Sequence, residues 1–259
     1  MKKFLATILC CLLAVSAFLM TGCSSVFDGN YTEATEQELS TFSQSVAANP
    51  TNEEFDYASG LSAKVKLETT GEYEMKVNME FKGIGVDGDV QMQGKMDMTA
   101  TMYGQSQTSK SDFYVKDETM YVHTKMEGIE VKQKLPISFD EYFEGVFSAG
   151  EMPVTSDLGV YLEMLSDVEG VKVLLDTTGE QKKVKIEIPQ TNIDGVSSEL
   201  VIVMVYDSDY KLTAMKLDME MSMTNDGQTS TVVMEYTIEP WSGSVSLPSD
   251  LNTYSNLGF

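Results

Sequence analysis

From Leu61 almost to Ile238 the chain alternates apolar and polar side chains with a period of two. The stretch Met215 to Met223, MKLDMEMSM, is the extreme case, with a methionine or leucine at every odd position and Lys216, Asp218, Glu220 and Ser222 between them. A period of two belongs to strands that bury one face. Leu61, Ala63, Val65 and Leu67 alternate up to a turn at Gly71, and Tyr73, Met75, Val77, Met79 and Phe81 alternate after it. Asp87-Gly88 reads as a hairpin turn. Val90, Met92, Met96, Met98 and Met102 follow, with Gly94 and Ala100 in phase. GQSQTSK reads as a loop, and the next segment, SDFYVKDETMYVHTKMEGIEVKQKL, as three short strands turning at Lys116-Asp117 and Glu127-Gly128. Strands resume at 171–176, 184–188, 200–206, 212–223 and 231–238, with turns at Thr178-Gly179 and Asp226-Gly227. The total is about eleven. An antiparallel sheet of that width curls or closes in order to bury a face.

Two segments break the period. TEATEQELSTFSQSVAANP has capping-box spacing at Thr35 and Glu38 and apolar residues at Leu39, Phe42 and Val46, so it reads as a short amphipathic helix stopped by Asn49-Pro50. Between the two groups of strands, PISFDEYFEGVFSAGEMPVTSDLGVYLEMLSDVEG suits one or two helices, with cap-like spacing at Ser138 to Glu141 and at Ser156 before Leu158, Leu162 and Leu165. The expected fold class is mainly β (α+β): a curled antiparallel sheet with a short N-terminal helix and a helical insertion.

The first residues stand apart from this fold. Lys2 and Lys3 precede an apolar run from Phe4 to Leu19, too short for a comfortable span and followed by small residues, as in an export signal. MTGC, ending at Cys23, resembles the bacterial lipobox, which implies diacylation of that cysteine and cleavage before it. Residues 1–22 are then the signal, 23–31 a short tether and 32–259 one domain. The eight residues SSVFDGNY, fully extended, reach at most about 26–29 Å, so the domain sits close to its membrane. Acyl chains hold a protein firmly only in combination, and diacylation supplies that. Cys10 and Cys11 leave with the signal, so no thiol remains for a disulfide, a metal or a nucleophile.

The chain carries 40 acidic residues against 18 basic ones, a formal net charge of −22, and every basic residue is lysine. Nucleic-acid binding depends on neutralising phosphates with positive charge and is excluded as a function class. Guanidinium forks for bidentate capture of phosphate or carboxylate are absent too.

Alternation alone leaves two ways to place the apolar face. A transmembrane barrel turns it toward lipid. Here the opposite face of MKLDMEMSM is charged, aromatic girdles are missing and a helical insertion interrupts the strands, so the apolar face points inward. That face is rich in thioethers: Met75, Met79, Met92, Met96, Met98, Met102, Met215, Met219, Met221, Met223 and Met234, together with Val77 and Leu217. Methionine is flexible and polarizable, suited to varied apolar partners and poor at specifying a unique core. Two readings follow. Either these residues line a cavity for a lipid or another amphiphile, the default use of a large apolar pocket, or they fill a solid core and the molecule works through its exterior.

The lipobox, the short N-terminal helix, the long meander with a helical insertion and the closing IEPWSGSVSLPSDLNTY together resemble the LolA/LppX-like half-barrel superfamily and, more closely, lipoproteins of Gram-positive bacteria in which a segment like FYVKDETMYVHT forms a central hairpin. The resemblance covers roughly residues 32–254 and is one of layout. It implies a concave face that holds acyl chains, here the methionine strands, and a lid, here the segment from Ile137 to Val168. It carries no catalytic residue. The expected protein is a non-enzymatic lipoprotein on the extracytoplasmic face of the cell membrane, with an amphiphile or an envelope protein as partner and no cofactor.

Catalytic signatures are scarce. His123 is the only histidine, which excludes histidine clusters and most triads; in phase with Tyr121, it reads as an exposed or rim residue. No nucleophile elbow, P-loop or dinucleotide fingerprint occurs. DGD at 87–89 and TNDGQT read as hairpin turns, not calcium loops. Trp241, the lone tryptophan, is expected to pack at an edge of the barrel.

Overall fold

A computed structural model describes residues 24–49, 60–71, 73–86, 89–136, 158–165, 168–193, 196–225 and 228–256. Thirteen strands form a single sheet: β1 (Thr32–Glu33), β2 (Leu61–Thr70), β3 (Tyr73–Val86), β4 (Asp89–Met102), β5 (Gln105–Lys116), β6 (Thr119–Met126), β7 (Ile129–Pro136), β8 (Lys172–Asp176), β9 (Lys182–Ile193), β10 (Val196–Tyr206), β11 (Leu212–Asn225), β12 (Gln228–Pro240) and β13 (Ser255–Asn256). The helices are α1 (Glu36–Ala47) and α2 (Leu158–Met164). Strand order across the sheet is β1-β8-β9-β10-β11-β12-β2-β3-β4-β5-β6-β7-β13, and every pair is antiparallel except β7–β13. The sheet is curled and unclosed.

Eleven of these strands are the eleven read from the sequence. β1 and β13 were not anticipated, because two residues are too few to show a period. The order also has a consequence that alternation could not reveal. β12 pairs with β2, placing the first and last long strands at the centre of the sheet. The segment read as an insertion, between β7 and β8, therefore joins the two flanks of the sheet. Residues 137–157 of it, with the cap expected at Ser138, lie outside the described residues, as do Ser156, Pro50 and the turns at Asp87-Gly88 and Asp226-Gly227.

The expected loop GQSQTSK is a correction. The chain turns at Tyr103-Gly104 and β5 starts at once, pairing Gln105 with Met102. Both turn residues have positive φ, 51° and 75°, the geometry that matches a two-residue hairpin to strand twist. The next hairpin turns at Asp117-Glu118 (φ 49° and 53°), one residue later than expected, and the third at Glu127-Gly128 as expected. Polar residues made the start of β5 look like a loop, although its backbone pairs throughout.

Helix α1 forms where the sequence placed it. Thr35 caps it: the Glu38 amide donates to Thr35 Oγ1 at 3.3 Å, and the Thr35 amide donates to Glu38 Oε2 at 2.9 Å. Its buried residues Phe42 and Val46 face the sheet, Phe42 meeting Tyr206 and Tyr210 edge-on at ring separations of 5.4 and 5.3 Å. α2 packs against α1 with Leu158 fully buried.

The sheet's outer side is crossed by the first and the last described segments, 24–31 and 241–256. The single-turn helix Ser24–Phe27 contacts β10 and β11, where the outward side chains Val203, Val205 and Ala214 are buried. The residues read as a tether are thus held on the fold: the Asn30 amide donates to Asp176 Oδ2 at 2.9 Å, and Lys183 Nζ donates to the Asp28 carbonyl. After β12 the chain runs over the outer side of the other half. Trp241 donates its amide to the Gly60 carbonyl at 3.0 Å, at the end of the central pair β12–β2. Further on, the Ser246 amide donates to Gln93 Oε1, Asp250 pairs with Lys132 at 2.7 Å, and Tyr254 meets Tyr121 edge-on before β13 joins β7.

Candidate functional site

Register fixes which side chains share a face, because directly paired residues point the same way. Met79 pairs with Met96, Val77 with Met98, Met75 with Ala100, Gly83 with Met92 and Tyr73 with Met102. On the other side of β2, Met219 pairs with Met234, Leu217 with Tyr236, Met221 with Val232 and Met223 with Ser230, while Met215 faces both Ile238 and Met204. Leu67, Val65 and Ala63 of β2 connect the two groups, pairing with Val77, Met79 and Phe81 on one side and Met234, Tyr236 and Ile238 on the other. All thirteen residues singled out from the sequence therefore lie on one face of one sheet. It is the face on which α1 sits, through Phe42 against Tyr206.

Burial along this face is uneven. Val77, Met79, Met92, Met215 and Met234 are buried in the core. Met75, Met96, Met98, Leu217, Met219 and Met221 are half-buried and pack against it. Met223 is half-buried, and Met102, beside the Tyr103-Gly104 turn, is 49% exposed. Val184 and Ile186 of β9 and Ile202, Met204 and Tyr206 of β10 are all fully buried, and Tyr206 meets Phe42 of α1. Phe81 and Phe113 cover Gly94, whose absent side chain makes room for the Phe81 ring.

Charge is sorted between the two faces. Among the described residues, strand lysines lie on the outer face, paired in register with outer partners: Lys66 with Glu235, Lys82 with Gln93, Lys110 with Asp97, Lys125 with Glu130. The exception is Lys182, opposite Tyr206 at the end of β9, whose ammonium donates to the Thr177 and Gly179 carbonyls in the adjoining turn. No described Asp or Glu of β2–β12 shares the inner register. The inner face is thus nearly free of ionic groups.

It is not uniformly apolar. On β5 the inner positions from Gln105 to Ser111 are polar, with Gln107, Ser109 and Ser111 in register with Ala100, Met98 and Met96, before Phe113 and Val115. Ser111 Oγ lies 2.9 Å from Thr124 Oγ1 of β6, and Gln133 of β7 follows on the same face. The sequence reading missed these residues. A polar residue in the apolar phase registers as a break in alternation, and only its neighbours' period identifies the face it is on.

The outer face holds the chain's one histidine. His123 is largely covered, with Nε2 at 2.5 Å from Glu130 Oε1 and Nδ1 at 4.0 Å from Asp112. The contact with His123 holds the Glu130 carboxyl below its usual range. Next to it, the Lys132 ammonium is raised and the Asp250 carboxyl lowered by their mutual hydrogen bond. These groups tie the C-terminal segment to β6 and β7, and no hydroxyl or thiol nucleophile is bonded to the imidazole among the described residues. Nearby, a polar hollow of about 330 Å³ is lined by Glu80, Lys82, Gln93, Lys95, Asp112 and Tyr114 and roofed by Ser246. A second hollow, of mixed polar and apolar lining and about 660 Å³, lies between α1 and the β1–β8 edge, against Thr35, Glu38, Phe42, Asp176, Lys182 and Tyr210. Within the described residues, no three His, Cys, Asp or Glu side chains converge as metal ligands, and no helix is long and apolar enough to cross a membrane. No protein family, no curated protein and no solved structure matches the chain significantly.

Proposed function

We propose that the chain is a non-enzymatic lipoprotein, anchored through Cys23 on the extracytoplasmic face of the cell membrane, whose inner sheet face seats the apolar part of a lipid or other amphiphile. One observation carries this reading: thirteen residues picked for their phase, eleven of them methionine, share a face that bears almost no charge. Thioether side chains accept irregular apolar shapes, as acyl chains require. An unclosed, curled sheet leaves that face open on one side, and the lid role proposed for the segment 137–168 is supported, within its described part, by α2 packing against α1, which sits on this face. The same layout supports the half-barrel superfamily as the chain's relatives. Transport and envelope sensing both follow from such a site.

The test is native mass spectrometry of the purified chain after exposure to a palmitoyl probe. Retention of one or more probe molecules is the expected result; no retention, and no amphiphile carried through purification, would sink the proposal. Met96→Trp separates this reading from its alternative, a surface interaction module with a filled core. Favouring the alternative is the packing of α1 onto the same face through Phe42 against Tyr206, with Val46 and Leu158 buried in the same core cluster. If Met96 borders open space, the tryptophan blocks probe uptake and leaves stability nearly unchanged. In a filled core it overpacks instead, costing about 1–3 kcal/mol.

A further inference from the structure

We infer that the amphiphile taken by the inner face has an uncharged, hydroxyl-bearing head group, which docks on the polar patch of β5 and β6 around Ser109, Ser111 and Thr124. This rests on the binding role just proposed and names the ligand class for that site.

The patch adjoins the methionine rows directly, since Ser109 is in register with Met98 and Ser111 with Met96. A ligand with its chains along β3 and β4 would therefore bring its polar end onto β5. Both serines are well covered, at 6% and 5% exposure. Burying a hydroxyl without a partner is unfavourable, so buried polar groups are normally paired. Ser111 has Thr124. Ser109 makes no side-chain hydrogen bond with any described residue and, unlike the enclosed Ser62 hydroxyl, is not fully shut in, so it can donate to or accept from a guest. Gln107 and Gln133, on the same face, add amide donors and acceptors at the border of the patch.

The sign of the head group follows from what the face lacks. A phosphate buried here would need a cation. The chain has no arginine, and among the described strand residues the one inner-phase lysine, Lys182, is on β9, beyond the central strands, with its ammonium already bound to two carbonyls. A cationic head group would need a carboxylate, and no described inner position on β2–β12 supplies one. Hydroxyls and amides remain, and they match a glycerol or sugar head group. An ion left without a counter-ion in such surroundings is strongly disfavoured.

The experiment offers the full chain vesicles containing dioleoylglycerol, glucosyl-dioleoylglycerol and dioleoylphosphatidylglycerol in equal amounts. The chain is then re-isolated, and its non-covalently bound lipid is read by native mass spectrometry. The two neutral lipids should be retained over the anionic one by about tenfold or more, the factor that each 1.4 kcal/mol of difference gives. Equal or better retention of the phosphatidylglycerol overturns the head-group assignment while leaving amphiphile binding intact. If none of the three lipids nor a palmitoyl probe is retained, the binding role falls and this inference with it. Ser109→Ala tests the docking position: the preference for neutral lipid should drop several-fold, with the thermal midpoint unchanged. An unaltered preference would rule Ser109 out of the head-group contact.

Discussion

At the scale of single residues, Gly94 and its neighbours show how closely the inner face is fitted near β4. A Cβ at position 94 would come within 2.3 Å of Phe81 Cδ1, and the Phe113 ring lies 5.9 Å from the Phe81 ring across the same spot. Large aromatic rings over a strand glycine recover contact area that the glycine itself cannot supply. Gly94→Ala is therefore expected to push Phe81 off its rotamer and lower stability by about 1–3 kcal/mol, measured as a shift in denaturant midpoint at constant slope. This position was legible only as a glycine in phase with methionines; the aromatic pair above it comes from a register that no local pattern encodes. The methionines themselves were well legible, because period two assigns a face without reference to which strands become neighbours. Ser109 and Ser111 were not, since the same rule discounts polar residues.

At the scale of elements, the capped helix and the eleven long strands were written in local sequence, whereas the ends of the chain were not. Residues 24–31 looked like a spacer because they lack any period, yet they are fastened by a polar clamp. Asp176 accepts from the Thr178 hydroxyl at 2.6 Å, the Thr178 amide at 3.0 Å and the Asn30 amide at 2.9 Å. These bonds, the Thr178 hydroxyl foremost, hold its carboxyl below the ordinary range. Burial pushes the adjacent Tyr31 phenol up to about 12, with the charges of Asp176 and Asp28 adding to the effect. A lowered carboxyl pKa in the folded state means that ionised Asp176 stabilises the fold above its ordinary titration range and loses that contribution as the pH falls through the folded value. Wild type should thus exceed Asp176→Asn in thermal midpoint at neutral pH, and the gap should close below about pH 4. A gap of constant size from neutral to acid pH would show that the clamp does not act through the charge. Such a clamp also leaves little slack ahead of the domain, so an acyl group on Cys23 would hold the sheet near the bilayer by its outer side.

For the molecule as a whole, curvature was foreseeable from strand number, but strand order was not, because the pairing of β12 with β2 depends on contacts between residues far apart in the chain. Both edges of this open sheet carry short strands among the described residues. One flank ends in β1, and on the other β13 covers part of β7, whose exposed Ile129 and Val131 border the remaining open edge. Uncovered edge strands invite pairing between molecules. Truncation before Asp250 would remove both β13 and the Lys132 ion pair. The shortened chain is expected to elute from size-exclusion columns as larger species that grow with concentration, while the full chain does not; an unchanged profile would mean that β13 gives no protection.

The central pairing has a kinetic side as well. Leu61 lies opposite Pro240, so the strand that begins the long meander finds its second neighbour only after nearly all the chain has been made. Six hairpin-linked strands, β2 to β7, can form early from local contacts, but the half built around β11 and β12 must be joined to them by closing a loop of well over a hundred residues, a slow, high-contact-order step. Until then, both β2 and β12 are free edges. The interval between synthesis and the zipping of that seam is when the polypeptide is most exposed to aggregation and proteases.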